Sequence, residues 1–200
     1  ELAAGHIALG NNPQQDYENR IILENYCKEL GIPFFCQQTN IGEVIFDIRK
    51  ESNPCALCAK MRRGALNNLA KENGFSKIAL GHHLDDVLET LLLKTFFEGN
   101  IDSFKPISWL SNMEITVIRP LIYIKENEIV KYAQANNLPI VDGCCPANGY
   151  TKRQDMKEII QKIETATPGS KDRALSALQH LPHNPWNITT NKLNNKEKEK

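Results

Sequence analysis

The sequence has no excess of charge of either sign: 24 Lys and Arg balance 24 Asp and Glu, giving a formal net charge of zero. The total therefore demands no polyanionic partner, and any nucleic-acid surface must be a local patch. No apolar run approaches the roughly 20 residues that span a bilayer. Nor does a basic start with a small-residue cleavage site mark a secretory signal. The expectation is a soluble, cytoplasmic protein with no membrane partner. No internal repeat is visible. The first residue is Glu1 and not Met, from which we expect that the chain lacks its natural beginning. What is present is 200 residues at 41% hydrophobic composition, enough for one substantial domain and an appendage.

Six cysteines at irregular spacing in such a chain point to metal or redox work before disulfides. The most informative are in NPCALCAKMRR, residues 53–63. Asn53 reads as an N-cap and Pro54 as the first helical residue, so Cys55 and Cys58 fall on one face of the first turns. The positive end of the helix dipole, with Lys60, Arg62 and Arg63, favours thiolate over thiol and suits an anionic metal centre. Cys145 is a third candidate ligand. Cys144 beside it would complete a four-thiol set closed around a structural Zn²⁺ with Cys55, Cys58 and Cys145. Cys27 and Cys36 read as small buried hydrophobes on a helix and a strand.

Apolar runs predict strands at residues 5–9, 32–37, 77–80 and 117–118, with a short extended piece at 139–141. Helical spacing predicts helices at 16–30, 54–73, 84–98, 126–136, 153–164 and 171–180. Strands alternating with helices predict an α/β, doubly wound parallel sheet with helices on both faces. The pattern divides the chain into an α/β domain (1–142), a C-terminal helical segment (143–182) and a charged, low-complexity tail (183–200) expected to be disordered.

In such sheets ligands sit beyond the carboxyl ends of the strands, and GHHLDD at 81–86 holds that position between a strand and a helix. A glycine lets a nucleotide approach the backbone, the helix N-terminus attracts phosphate, and neighbouring carboxylates can hold Mg²⁺. A plainer reading has Asp85 and Asp86 complementing the helix dipole, with His82 and His83 ending a strand.

Taken together, CALCAKMRRGAL, IALGHHLDDVLETLLL, IRPL and Arg153 eight residues after Cys145 resemble the tRNA 2-thiocytidine synthetases (tRNA-cytidine(32) 2-sulfurtransferases) of the PP-loop ATP pyrophosphatase superfamily, over roughly residues 7–161. The paired cysteine and GHHxDD blocks make the resemblance specific. It implies ATP-dependent thiolation of a cytidine in the tRNA anticodon loop, with a [4Fe-4S] cluster on Cys55, Cys58 and Cys145. Those residues and Asp86 would be the catalytic set. Gly81 and Asp86 fall on nucleotide-contacting positions, with His82, His83 and Asp85 as looser candidates. Arg62, Arg63 and Arg153 would meet RNA phosphates. The implied partners are tRNA, ATP and a sulfur donor such as a cysteine desulfurase or free sulfide, in a homodimer. The family's SGGxDS phosphate loop is nowhere in this sequence. We expect it upstream of Glu1, and expect these 200 residues alone to be an inactive fragment. A zinc-stabilised tRNA-binding module without ATPase activity, or another PP-loop tRNA-modifying enzyme, is the alternative.

Overall fold

The computed structural model describes residues 1–50, 54–141, 143, 145–146 and 151–181. Asn53, Cys144, Trp186 and the 183–200 tail lie outside the described residues. The chain forms two compact units, one of Glu1–Leu80, Ser108–Ile118 and Asn127–Thr151, the other of Gly81–Ile107, Arg119–Glu126 and the chain from Lys152 onward. The sequence division at residue 143 falls inside the first.

In the first unit β1 (Ala4–Ala8) and β2 (Phe34–Gln38) pair in parallel, joined by α1 (Pro13–Glu29). Asn12 caps α1 by accepting the Gln15 amide at 3.2 Å, and Pro13 needs no donor partner at the first helical position. A short turn of helix α2 (Ile41–Glu43) widens into a π-helical turn, Val44–Ile48. The cysteine helix α3 (Pro54–Glu72) begins at the predicted proline and ends before Gly74. Its apolar face (Leu57, Met61, Ala65, Leu69) closes on Ile7, Ile41 and Ile45. A second sheet runs β3 (Lys77–Ala79), β5 (Ile115–Ile118), β4 (Ile107–Leu110), with β3 and β5 parallel. Its core is Ile78, Ile115 and Val117. Helix α5 (Glu126–Ala135) follows.

The architecture is α/β with parallel pairing and helices, as predicted, and four details differ. The strands form two sheets and not one. Strand β4 was not predicted: only alternate residues are covered, and Ile107 and Trp109 face solvent. The strand read at 117–118 begins at Ile115. Residues 139–141 form no strand.

The second unit is helical. Helix α4 (Leu84–Leu93) continues into a π-helical turn, Lys94–Glu98, closed by Gly99 in the left-handed region. Buried Leu84, Val87 and Leu88 pack with Ile122, with Ile160 of α6 (Lys152–Ala166) and with Leu175 and Leu178 of α7 (Ser170–Gln179). No helix among the described residues is long and apolar enough to cross a membrane.

Candidate functional site

In the first unit the start of α3 carries the thiols. Cys55 is exposed, Cys58 and Cys145 are half-buried, and none is in a disulfide. Burial pushes the Cys58 thiol up from its ordinary value; the Arg62 guanidinium opposes this, and the neighbouring Cys145 and Cys55 thiols add to it. Cys55, one helical turn away, and Cys145, distant in sequence, therefore both act on the field at Cys58. Among the described residues, however, no three His, Cys, Asp or Glu side chains are drawn together as a metal site. The fold brings the predicted Cys55 and Cys145 thiols into electrostatic reach of Cys58 without closing the three into a ligand set. Cys27 is buried and Cys36 half-buried, as expected of packing residues.

Arg62 and Arg63 are exposed on α3. Arg62 also lies in the field of His6 on β1, a residue with no sequence signal beyond its place in a strand. Burial lowers the His6 pKa, Asp16 opposes and Arg62 assists, so the imidazole is neutral at physiological pH. Its Nε2 is buried without a hydrogen-bond partner. At the carboxyl ends of β1 and β2, the Gly10 amide donates to Asp16 Oδ2 at 2.8 Å and the Thr39 hydroxyl to the Ala8 carbonyl at 2.7 Å.

The GHHLDD segment opens α4 in the second unit. Gly81 is exposed and open to close approach. Asp86 Oδ2 accepts the His83 amide at 3.0 Å, closing the helix start, while Oδ1 accepts from Arg153 at 3.0 Å. The same guanidinium nitrogen donates to Glu89 at 2.7 Å, and the other to the Thr90 hydroxyl at 3.1 Å. Asp85 is used equally fully: one oxygen pairs with Lys171 of α7 and the other accepts the Glu126 amide at 2.8 Å. Burial works to raise the Asp85 carboxyl, but the Glu126 amide and the Lys171 ammonium outweigh it and hold the pKa below its usual value. Burial raises Glu89 against the pull of Arg153. His82 packs its ring on Phe104 at 4.7 Å between centroids, and burial keeps it neutral.

The carboxylates of this segment and Arg153 have partners within the chain. Asp85, read as a nucleotide or Mg²⁺ contact, has both oxygens engaged by the chain, one by Lys171 of α7 and the other by the Glu126 amide. Arg153, read as a phosphate contact, turns its guanidinium to α4. Lys171 and Glu89 were not picked out at all, although Glu89 stands one turn beyond Asp86 on α4 and so shares its face.

A model of the PP-loop domain family matches residues 1–162. The tRNA-cytidine(32) 2-sulfurtransferase of Citrifermentans bemidjiense is 38% identical over 163 residues, covering 80% of this chain and 64% of the relative. The protein of the same name from Geobacter metallireducens is 39% identical, covering 80% and 63%. That from Pasteurella multocida is 39% identical, covering 80% and 52%. The chain thus spans under two thirds of the length of these relatives. Among solved structures, the U34-tRNA thiolase NcsA from Methanococcus maripaludis with its [4Fe-4S] cluster superposes with a TM-score of 0.71 at 23% identity, covering 94% of this chain and 66% of that one. That likeness concerns the fold.

Proposed function

Because this chain belongs to the PP-loop domain family, we propose that the protein it represents thiolates tRNA, replacing the C2 oxygen of an anticodon-loop cytidine with sulfur. ATP adenylates that oxygen and releases pyrophosphate; sulfur then displaces AMP, a far better leaving group than oxide. The observation that carries the reading is a half-buried Cys58 within the field of both Cys55 and Cys145, on a chain that also opens a helix with GHHLDD.

Cys55, Cys58 and Cys145 are the proposed holders of the cluster. The donor chemistry fits: three free thiols, two in the first turns of a helix, with Arg62 as a nearby countercharge. When bound through three thiolates, a [4Fe-4S] cluster supplies an iron with a position open to sulfur. Gly81 gives a nucleotide access to the backbone at the start of α4, with His82, His83 and Asp86 around it. Since Asp85 and Asp86 are engaged, Mg²⁺ would accompany ATP on its phosphates. Exposed Arg62 and Arg63 are the proposed phosphate contacts for tRNA. A cysteine desulfurase or free sulfide is the proposed sulfur source, and a homodimer the proposed assembly. Without SGGxDS in these 200 residues, the chain alone is expected to turn over little ATP.

The test is anaerobic reconstitution with iron and sulfide, followed by an absorption spectrum, metal analysis and nucleoside mass spectrometry of tRNA treated with ATP, sulfide and a chain extended to carry the SGGxDS loop. A brown protein and a 2-thiocytidine peak are expected. A colourless protein holding one zinc would remove the cluster. Labelled pyrophosphate release without any thionucleoside would remove the sulfur transfer.

A further inference from the structure

In the second unit three large apolar side chains stand in water within one helical turn and the loop that leaves it: Phe96 is 67% exposed, Phe97 57% and Ile101 61%. Single exposed hydrophobes are ordinary, but a cluster of them marks an interaction surface. On a regular α-helix Phe96 would follow Leu92, four residues back, onto the face that packs against the core. The π-helical turn Lys94–Glu98 widens the helix at that point, and both rings remain outside. Phe104, by contrast, packs on the core of the unit and carries His82 and Arg119 against its ring.

The turn is pinned. The Lys94 ammonium pairs with Asp102 at 2.6 Å across the loop, the Asn100 amide donates to the Lys94 carbonyl at 3.1 Å, and the Ser103 hydroxyl donates to the Val87 carbonyl at 3.0 Å. The rings are therefore held in place before anything binds, which lowers the ordering cost of binding. One cation attends them: the Lys152 ammonium, on the first residue of α6, lies 5.8 Å from the centre of the Phe97 ring. Its acidic neighbour Asp155 is 3.6 Å away, and with both side chains more than half exposed that pair holds Lys152 only weakly. The positive end of the α6 dipole adds to the ammonium.

Aromatic faces beside a loosely held cation suit a nucleotide, whose base stacks on a ring while its phosphate meets the ammonium. An apolar protein surface fits less well, since covering the rings would also take Lys152 and the Lys94–Asp102 pair out of water. We propose that Phe96 and Phe97 are a stacking platform for unpaired nucleobases of the RNA substrate, with Lys152 as the contact for a phosphate of the same strand. Every base has a face to stack, so the platform grips an unpaired loop without reading its sequence, and a duplex, whose bases are already stacked on one another, gains nothing from it. The proposal rests on the reading that the protein acts on tRNA.

The test is fluorescence anisotropy of a labelled RNA hairpin with an unpaired loop, and of a fully paired RNA duplex, titrated with these 200 residues at several salt concentrations, with 2-aminopurine in the loop to report stacking. Replacing both rings, Phe96→Ala with Phe97→Ala, should weaken hairpin binding at least about tenfold, abolish the quenching of 2-aminopurine, and leave duplex binding and the salt slope unchanged. Phe96→Leu with Phe97→Leu keeps apolar bulk without a ring face and should fail as the alanine pair does, whereas Phe96→Tyr with Phe97→Tyr should bind within about threefold of the parent. Lys152→Met should reduce the salt slope by about one. Because these side chains are exposed, thermal melting should shift little in any variant. Hairpin affinity that survives loss of both rings, a leucine pair that binds as the parent does, or a parent that does not bind the hairpin at low salt would each overturn the proposal. So would self-association of the parent that the alanine pair abolishes while hairpin affinity stays unchanged, because a second copy would then be what covers the rings. Loss of hairpin affinity in the ring variants of a protein that thiolates no tRNA would sink the functional reading and leave the platform standing.

Discussion

The Asp85–Lys171 pair offers the sharpest test of how the second unit is held. Both side chains are largely withdrawn from water, Lys171 at 12% and Asp85 at 6% exposure, and Asp85 also accepts the Glu126 amide. Lys171→Met removes the ammonium and leaves a buried carboxylate facing one backbone donor and, at 4.0 Å, the His83 ring. Breaking one partner of a buried pair costs about 3–5 kcal/mol, and the remaining donor places this case at about 3. For a chain of this size that is a fall in Tm of about 6–12 °C. Asp85→Asn leaves Lys171 a neutral acceptor and should cost about 1–2 kcal/mol. The double variant removes both charges yet keeps an acceptor for Glu126, so it should return to within about 1 kcal/mol of the parent. Urea unfolding followed by circular dichroism measures all four proteins. The depressed Asp85 pKa adds a check: its stabilisation is fully present above 3.8 and is lost as pH falls through the lower folded value, so the gap between parent and Lys171→Met should narrow in acid. A Lys171→Met cost under about 1 kcal/mol, or a double variant no better than the sum of the singles, would refute the reasoning.

Glu89 titrates in the opposite sense: its folded pKa is raised above 4.5, so its contribution is fully present below that value and is lost as pH rises through the folded one. Arg153→Gln raises it further, so urea midpoints of parent and variant should differ more at about pH 7 than at about pH 4. Gly10 has φ +77° and a Cβ there would meet the Thr39 carbonyl oxygen at 2.4 Å, whereas Gly31, at φ +67°, has nothing within 4 Å. Denaturation should therefore show Gly10→Ala costing about 2–4 kcal/mol and Gly31→Ala about 1. Arg62 holds the Cys58 thiol down against its burial; Arg62→Met should slow iodoacetamide alkylation of Cys58 about two- to fivefold at pH 8, with unchanged rates counting against their proximity.

The helices were legible because their signals are local. Pro54 and Gly74 bracket α3, and leucines at helical spacing mark α4. Strand β4 escaped because an edge strand needs only one covered face, and its alternate residues, Ile107 and Trp109, look to solvent. The chemistry of the second unit escaped for a different reason. Asp85 finds its cation 86 positions away and Asp86 finds Arg153 67 positions away, and no periodicity reports who neutralises whom across such distances. Residue types marked GHHLDD as a place of concentrated charge, but whether those carboxylates wait for a metal or tie helices together depends on partners that only the fold supplies. The thiols show the converse. Cys55 and Cys58 were placed correctly by helix geometry alone, yet what distinguishes them from an ordinary helix start is the effect of Cys145 on Cys58, a long-range relation that the spacing of CxxC cannot contain. Local pattern therefore marked the candidate side chains, and tertiary pairing decides which of them are engaged: in the second unit Asp85 and Asp86 have partners, while among the described residues of the first Cys55, Cys58 and Cys145 form no disulfide.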